Sequence, residues 1–480
     1  MVENKEINPP SFFDDSHVKP IESNNKLSED NMKPSESSSK SMETKVKPMS
    51  FHYKDLPRSV RPFVDAAPSD FKLAVLLTVL CCYCALATRL RVKYPYDIDL
   101  HALLVQVLIC GEPGAGKSFT RGIVNRLMGQ LKLRDKEMRA KEKEYRKAVK
   151  KLKNKTLPDE PQIDVRCIQT ITKAMLTKRV DEIQSKYGET LTLFLFSEEA
   201  SLLADSNKRI FADLRTLDRL AYDLGAEYCS ESMYDAGVNS EVDIIWCSLF
   251  CGTENSIKEY IDKRSIEGGN VTRKILCQLL DMLGNKAPAF MPIGEQDGAC
   301  IEQTVSRLLH DTYGDNDTLQ PIHVVHMEWL DKQVDKWCNK QRIEVIRSGS
   351  RSRNCFYKRS SVSAFRLATM LYYLWGEDET KQKYVIRFYH FMATYILEGL
   401  LNQWGREFDE MHQNDPDDTP KKKSIYELCP QRFTRDQLRE LIVNQKLKTD
   451  VRHFISRWKK ARLIHEVKNA GTELYEKNYA

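Results

Sequence analysis

The chain has 480 residues and a net charge of only +6, from 74 Lys and Arg against 68 Asp and Glu. This length accommodates about two to four domains with ample core. The balanced charge excludes an argument for nucleic acid from net charge alone, so local basic clusters must carry one. Thirteen cysteines, an odd and scattered set with no secretory signal, point to free thiols in a reducing cytoplasm.

Residues 1–50 are rich in Ser, Asn, Lys, Glu and Pro and read as a disordered tail. Residues 51–100 are expected to be an N-terminal helical segment. Within it, 71–88 is apolar but sits at or just under the span of about 20 residues that crosses a membrane, with Lys72 near its start. It reads as a helix buried under the next domain. Cys81, Cys82 and Cys84 lack a second pair or a His partner at zinc-ligand spacing and read as core cysteines. Tyr94-Pro95-Tyr96-Asp97 predicts a turn.

The 105–110 run is apolar throughout, as a strand covered on both faces is. Gly111-Glu112-Pro113-Gly114-Ala115-Gly116-Lys117-Ser118 then fits Gly, four residues, Gly-Lys-Ser, the phosphate-loop pattern, with Phe119 opening a helix that starts near Lys117. Glycines let backbone N–H groups turn toward phosphate oxygens, and the helix N-terminus aims partial positive charge at the same anion. Residues 111–119 are thus the candidate nucleotide contacts. Lys117 reaches the β- and γ-phosphates of ATP, and the Ser118 hydroxyl ligates Mg²⁺. The dense mixed charge at 130–160 reads as an inserted, solvated helical hairpin, with a basic arm as the alternative.

The 191–197 strand ends on Glu198 and Glu199, the form of a Walker B element. Glu198 is assigned to the metal side and Glu199 to the base that activates water. A further buried strand, 243–251, should lie between the two Walker elements and end on a polar residue at the γ-phosphate. Asn255 is the candidate and Thr253 its rival, and a helix cap is an equal reading. Arg273 follows a Gly-rich loop and could reach across a subunit boundary, with Arg264 as rival. Residues 301–412 read as a helical lid region. Its 359–374 helix either turns Arg366 or Arg359 to the nucleotide or is a core helix with surface arginines. After a linker at 413–423, residues 424–480 read as a winged helix. A capping box at Thr434-Arg435-Asp436-Gln437 opens one helix, Thr449 caps a second, and a hairpin follows. Arg452, Arg457, Lys459 and Lys460 make that second helix basic, suited to DNA phosphates.

The ordered set Cys110–Ser118, Phe196-Ser197-Glu198-Glu199-Ala200, the strand into Gly252-Thr253, the Gly-rich loop before Arg273, and Arg366-Leu367-Ala368 resembles domain-of-unknown-function family 3987. These are primase-associated, helicase-like P-loop ATPases of phage and other mobile elements. The likeness covers roughly 55–410, and departs at Glu198, where Asp is usual, and at Lys274-Ile275, where an aromatic is. It implies an α/β P-loop NTPase fold of AAA+ or helicase type, a parallel sheet with helices on both faces. It further implies a hexamer-forming homo-oligomer acting on single-stranded DNA in replication, with primase supplied by another chain. The alternative is a regulatory ATP switch that remodels a protein partner without unwinding DNA.

Overall fold

The computed structural model describes residues 51–151, 158–169, 172–207, 213–230, 240–281, 284, 286–411, 425–445, 450–467 and 473–478. The predicted tail at 1–50, the 413–423 linker, Thr449 and the 152–157 end of the charged insertion lie outside these residues.

The protein is α/β, built on a five-stranded, all-parallel sheet flanked by helices. Its strands are β3 (Gln106–Cys110), β4 (Cys167–Ile168), β5 (Leu193–Ser197), β8 (Trp246–Gly252) and β9 (Lys274–Gln278), in the order β4-β5-β8-β3-β9. β3, β5 and β8 are buried at every position, as sheets covered on both faces require. β8 lies between β3 and β5, as expected for the 243–251 run. Connections leave the neighbours β3 and β8 in opposite directions across the sheet. That is a topological switch point, and ligand crevices form at such points beyond the strands' carboxyl ends.

α1 (Arg61–Asp65) leads into α2 (Lys72–Leu86), which lies against β3, β5, β8 and β9. Every residue from Ala74 to Leu86 is buried, Cys81, Cys82 and Cys84 included. A helix apolar all round must be covered on all sides, and here the protein covers it. Among the described residues, the 69–86 stretch is the one helix long and apolar enough to cross a membrane, and most of it is buried.

The 51–100 segment is not wholly helical. β1 (Leu90–Lys93) and β2 (Leu100–Ala102) form a hairpin around the predicted 94–97 turn, and β1 pairs in parallel with β10 (His323–Val325). α3 (Phe119–Leu127) opens at Phe119, as the motif predicts, and Lys117 and Ser118 belong to the loop. Met128 separates it from α4 (Gly129–Lys151). α4 is a docked helix in its first half, which corrects the solvated reading. Asp135 accepts the backbone N–H groups of Arg166 and Cys167 at 3.1 and 2.6 Å, fixing the edge strand β4. Arg134 bridges to Asp164 at 2.6 Å and stacks 4.1 Å from the Tyr313 ring centroid.

α5 (Lys173–Tyr187) leads to β5, and α6 (Ala200–Asn207), α7 (Arg215–Leu220) and the β6–β7 ribbon (Glu227–Ser230, Ser240–Asp243) separate β5 from β8. α8 (Glu254–Tyr260) and α9 (Lys263–Glu267) connect β8 to β9. α10 (Glu295–Tyr313), α11 (Asp331–Ser348), α12 (Arg351–Leu374), α13 (Gln382–Leu400) and α14 (Arg406–Met411) follow. α12 is a core helix, buried almost continuously from Ser360 to Tyr372.

Residues 425–478 gather around a second core of Phe433, Leu438, Ile455 and Trp458, which Ile346 of α11 joins. They run α15 (Ile425–Leu428), β11 (Arg432–Thr434), α16 (Arg435–Asn444), α17 (Val451–Lys460), β12 (Ile464–Val467) and β13 (Leu474–Lys477), with sheet order β11-β13-β12. The Thr434–Gln437 capping box is present in full. Asp450, not the predicted Thr449, caps α17 by accepting the Arg452 N–H at 2.8 Å, since its carboxylate reaches that group directly.

Candidate functional site

The 111–118 loop leaves the carboxyl end of β3 and turns straight into α3. Gly114 and Gly116 have φ of +82° and +79°, where a side chain is strained, so both positions need glycine. Gly111 has another reason. A Cβ there would stand 3.1–3.3 Å from Leu279 and Ala115. Its N–H donates to Gly252 O at 3.0 Å, tying the loop to the end of β8. Lys117 folds back over the loop, and its Nζ donates to Gly111 O at 2.6 Å and Glu112 O at 2.9 Å. The loop thus cradles the Lys117 ammonium on its own carbonyls, placing beside the turn the positive charge an anion would need. Glu112, Pro113, Gly114 and Ser118 are exposed, and Phe119 is partly buried.

The register places the carboxylates on the same edge of the sheet. Cys110 lies opposite Gly252, and Ser197 opposite Phe250. Glu198 therefore stands two strand spacings, about 10 Å, from the loop's origin. Its carboxylate accepts Arg121 Nε at 2.5 Å and also Nη2 of the same guanidinium. Glu199 is exposed immediately before α6, where its backbone is held by the Ser197 hydroxyl. Cys251 sits between these groups. Burial pushes its thiol up to about 11, and it feels Glu198, Lys117 and Glu199 together. The residues that would hold Mg²⁺ are Ser118 and Glu198, hard oxygen donors of the kind that ion takes. Among the described residues no group of three or more His, Cys, Asp or Glu could hold a metal unaided.

Thr253 is the cap of α8, with its Oγ1 accepting the Ser256 N–H at 3.3 Å. Asn255 is exposed in the first turn of that helix, on the loop's edge of the sheet. Gly252 is confined, because a Cβ would come within 2.4 Å of Ser256 Oγ and 2.9 Å of Ala200 Cβ.

The structure does not bring Arg273 to its own chain's loop. It precedes β9, whose first residue pairs with Gln106, so it sits at the opposite edge, about 13 Å along β3. Its Nη1 donates to Gly269 O at 2.9 Å, and Arg219, Arg359 and Arg366 surround the same spot. Burial, then Arg359, pushes the Arg273 guanidinium below its ordinary value. Arg366 is 1% exposed, lies 4.2 Å from the Tyr222 ring centroid, and donates to Leu104 O, Tyr222 O and Asp223. It faces away from the loop, which removes the reading of this helix as presenting Arg366 to nucleotide. Arg264 is exposed on α9.

On α17, Arg452, Arg457 and Lys460 are exposed. Lys459 is exposed too but engaged, bridging to Glu466 at 2.5 Å and lying 5.0 Å from the Tyr475 ring centroid.

Three features escaped the sequence. Arg121 is one turn beyond Lys117, and that i,i+4 spacing was a usable signal. Gly252 ends a strand, where a glycine commonly marks close approach. The 287–293 segment crosses the loop, with Pro288 Cγ only 2.5 Å from where a Gly116 Cβ would be, and nothing local announced it. No model of a known protein family matches the chain, and no curated protein matches it.

Proposed function

We propose that the protein is an ATP-hydrolysing DNA motor of helicase-like, P-loop type, related to domain-of-unknown-function family 3987, that works in replication of a phage or mobile element. The observation that carries this reading is the meeting of the 111–118 cradle, Lys117 within it and Glu198-Glu199 on one sheet edge, with β8 between the two strands. Residues 111–119 hold the triphosphate through backbone N–H groups and the Lys117 ammonium. Ser118 and Glu198 would hold Mg²⁺, which would supply charge neutralisation at the phosphates when bound. Glu199 takes the proton of the attacking water, and Asn255 orients that water. Glu198 exchanges its Arg121 partner for that task.

The Arg273 edge lies away from the loop, so an arginine from it acts on a neighbouring copy's nucleotide in a homo-oligomeric ring, hexameric in this reading. Arg264 is the better presented of the two candidates. The 425–478 unit is read as a winged helix from its helix, strand, helix, helix, hairpin order. Its α17 contacts DNA phosphates through Arg452, Arg457 and Lys460. A primase would be a separate chain.

The test is ATP hydrolysis by the full chain with and without single-stranded DNA, followed by strand displacement on a forked duplex. DNA-stimulated hydrolysis with displacement is expected. Hydrolysis indifferent to DNA would leave a remodelling ATPase instead.

A further inference from the structure

We propose that the apolar cavity beside the 111–118 loop receives the base of a purine nucleotide, an inference that rests on reading that loop as a triphosphate site. The cavity measures about 520 Å³, and Gly114, Gly116 and Ser118 form one wall of it. The other walls come from three places. Phe63 and Ala66 lie in and just after α1, Phe119 and Ile123 on α3, and Phe290 and Met291 in the segment that crosses the loop. Its volume is in the range of small-molecule sites, which join apolar walls to a few polar groups. Away from the loop, the phenylalanine and aliphatic walls offer nothing to phosphate or ribose hydroxyls but suit a flat heteroaromatic ring.

Three phenylalanines build the platform. Phe119 and Phe290 stack with centroids 5.4 Å apart and planes 21° from parallel, and Phe71 meets both edge-on at 5.8 and 5.6 Å. Phe119 directly follows Ser118, so this platform begins one residue from the phosphate contacts. Phe290 is 36% exposed, a large apolar side chain left open at the cavity. The crossing segment is held in place by the Met291 N–H, which donates to Ala66 O at 2.8 Å. Arg126 supplies a polar group. It lines the cavity, and its Nε is buried without a hydrogen-bond partner. A purine ring nitrogen is an acceptor of the kind that a guanidinium lining the cavity can meet. A purine also covers more of the aromatic platform than a pyrimidine.

The experiment is calorimetric titration of the full chain with magnesium ATP and with magnesium tripolyphosphate, which has the phosphates and no base. Wild type should bind ATP the more tightly. Phe290→Ala should weaken ATP about tenfold or more, the loss expected when a stacking ring is removed, and leave tripolyphosphate unchanged. Gly122→Leu is the second variant. Gly122 lines the cavity, and a Cβ there meets nothing within 4 Å, so a larger side chain can start from this position into the cavity. It should give the same split. ATP and GTP should bind more tightly than CTP and UTP. Wild type binding tripolyphosphate as tightly as ATP, or both variants keeping their ATP affinity, overturns the base site and leaves the loop reading standing. Wild type binding neither ligand overturns the loop reading, and the base site with it.

Discussion

Lys274→Met should destabilise the protein heavily while leaving its nucleotide affinity intact. The Lys274 side chain is 0% exposed and pairs with Asp218, which is 3% exposed. The ammonium also donates to Gln106 Oε1 at 2.9 Å. Asp218 takes further hydrogen bonds from Tyr260 Oη at 2.8 Å, Asn270 Nδ2 at 3.0 Å and Trp246 Nε1 at 3.2 Å. Burial pushes the Lys274 ammonium below its ordinary value, and Asp218 opposes that push. Methionine keeps most of the side chain's volume but strands the carboxylate among neutral donors. Removing one partner of a buried pair costs about 3–5 kcal/mol. Asp218→Asn strands the lysine and should cost a similar amount. The double variant removes both charges and should cost less than the sum of the singles by about 2 kcal/mol. Urea unfolding followed by far-ultraviolet circular dichroism reads these values from midpoints at unchanged slope. Single variants costing under about 1 kcal/mol, or a double variant equal to the sum, would refute the reasoning. The pair sits at the sheet edge opposite the loop, so magnesium ATP should bind folded Lys274→Met as it binds wild type.

Gly252→Ala forces a Cβ against Ser256 and Ala200, so α6 or α8 must shift. It should cost about 1–3 kcal/mol and slow ATP hydrolysis more than it weakens ATP binding, because Glu199 enters α6 beside Ala200. Steady-state kinetics alongside equilibrium binding separates the two effects. Arg452→Ala and Arg457→Ala should each lower duplex affinity and flatten its salt dependence by about one unit of slope, whereas Lys459→Ala should do less, since Glu466 already neutralises that lysine. Equal losses at all three positions in a salt titration would contradict this. Asp223 is half-buried, and Arg366 and Arg359 hold its carboxyl below the ordinary 3.8 against the push of desolvation. A depressed carboxylate contributes stability above its unfolded value and loses it as pH falls through the lower folded one. The melting-temperature gap between wild type and Asp223→Asn should therefore narrow as pH drops below that ordinary value. A gap constant with pH would contradict the pairing.

Much of the parallel sheet was legible because its central strands are short continuous apolar runs bounded by glycine or polar residues, as doubly covered strands are. The loop was legible because φ-positive glycines, a lysine and a serine recur at fixed spacing. Lys274 departs from the pattern of the family that the sequence resembles, and the structure gives it a wholly buried partner in Asp218, 56 positions away in the chain. The same distance problem hid the opposite-edge cluster. Arg366 and Arg273 read as nucleotide-facing or surface groups, and their meeting at Tyr222 depends on α12 packing through the core. The β1–β2 hairpin was lost because its strands are only four and three residues long and follow an apolar helix without a polar break. Thr449 looked like a cap by type, but Asp450 is the residue whose carboxylate reaches the first turn.

The central claim is that the 111–118 loop binds ATP and that Glu199 drives its hydrolysis. Magnesium ATP binding and turnover, measured together on wild type, Lys117→Ala and Glu199→Gln, test it most directly. Lys117→Ala should lose binding, because the cradle keeps its backbone but not its ammonium. Glu199→Gln should bind ATP as wild type does and turn over about 100-fold or more slowly, the low end of what a positioned general base contributes. Full turnover by Glu199→Gln, or unchanged binding by Lys117→Ala, would contradict the account.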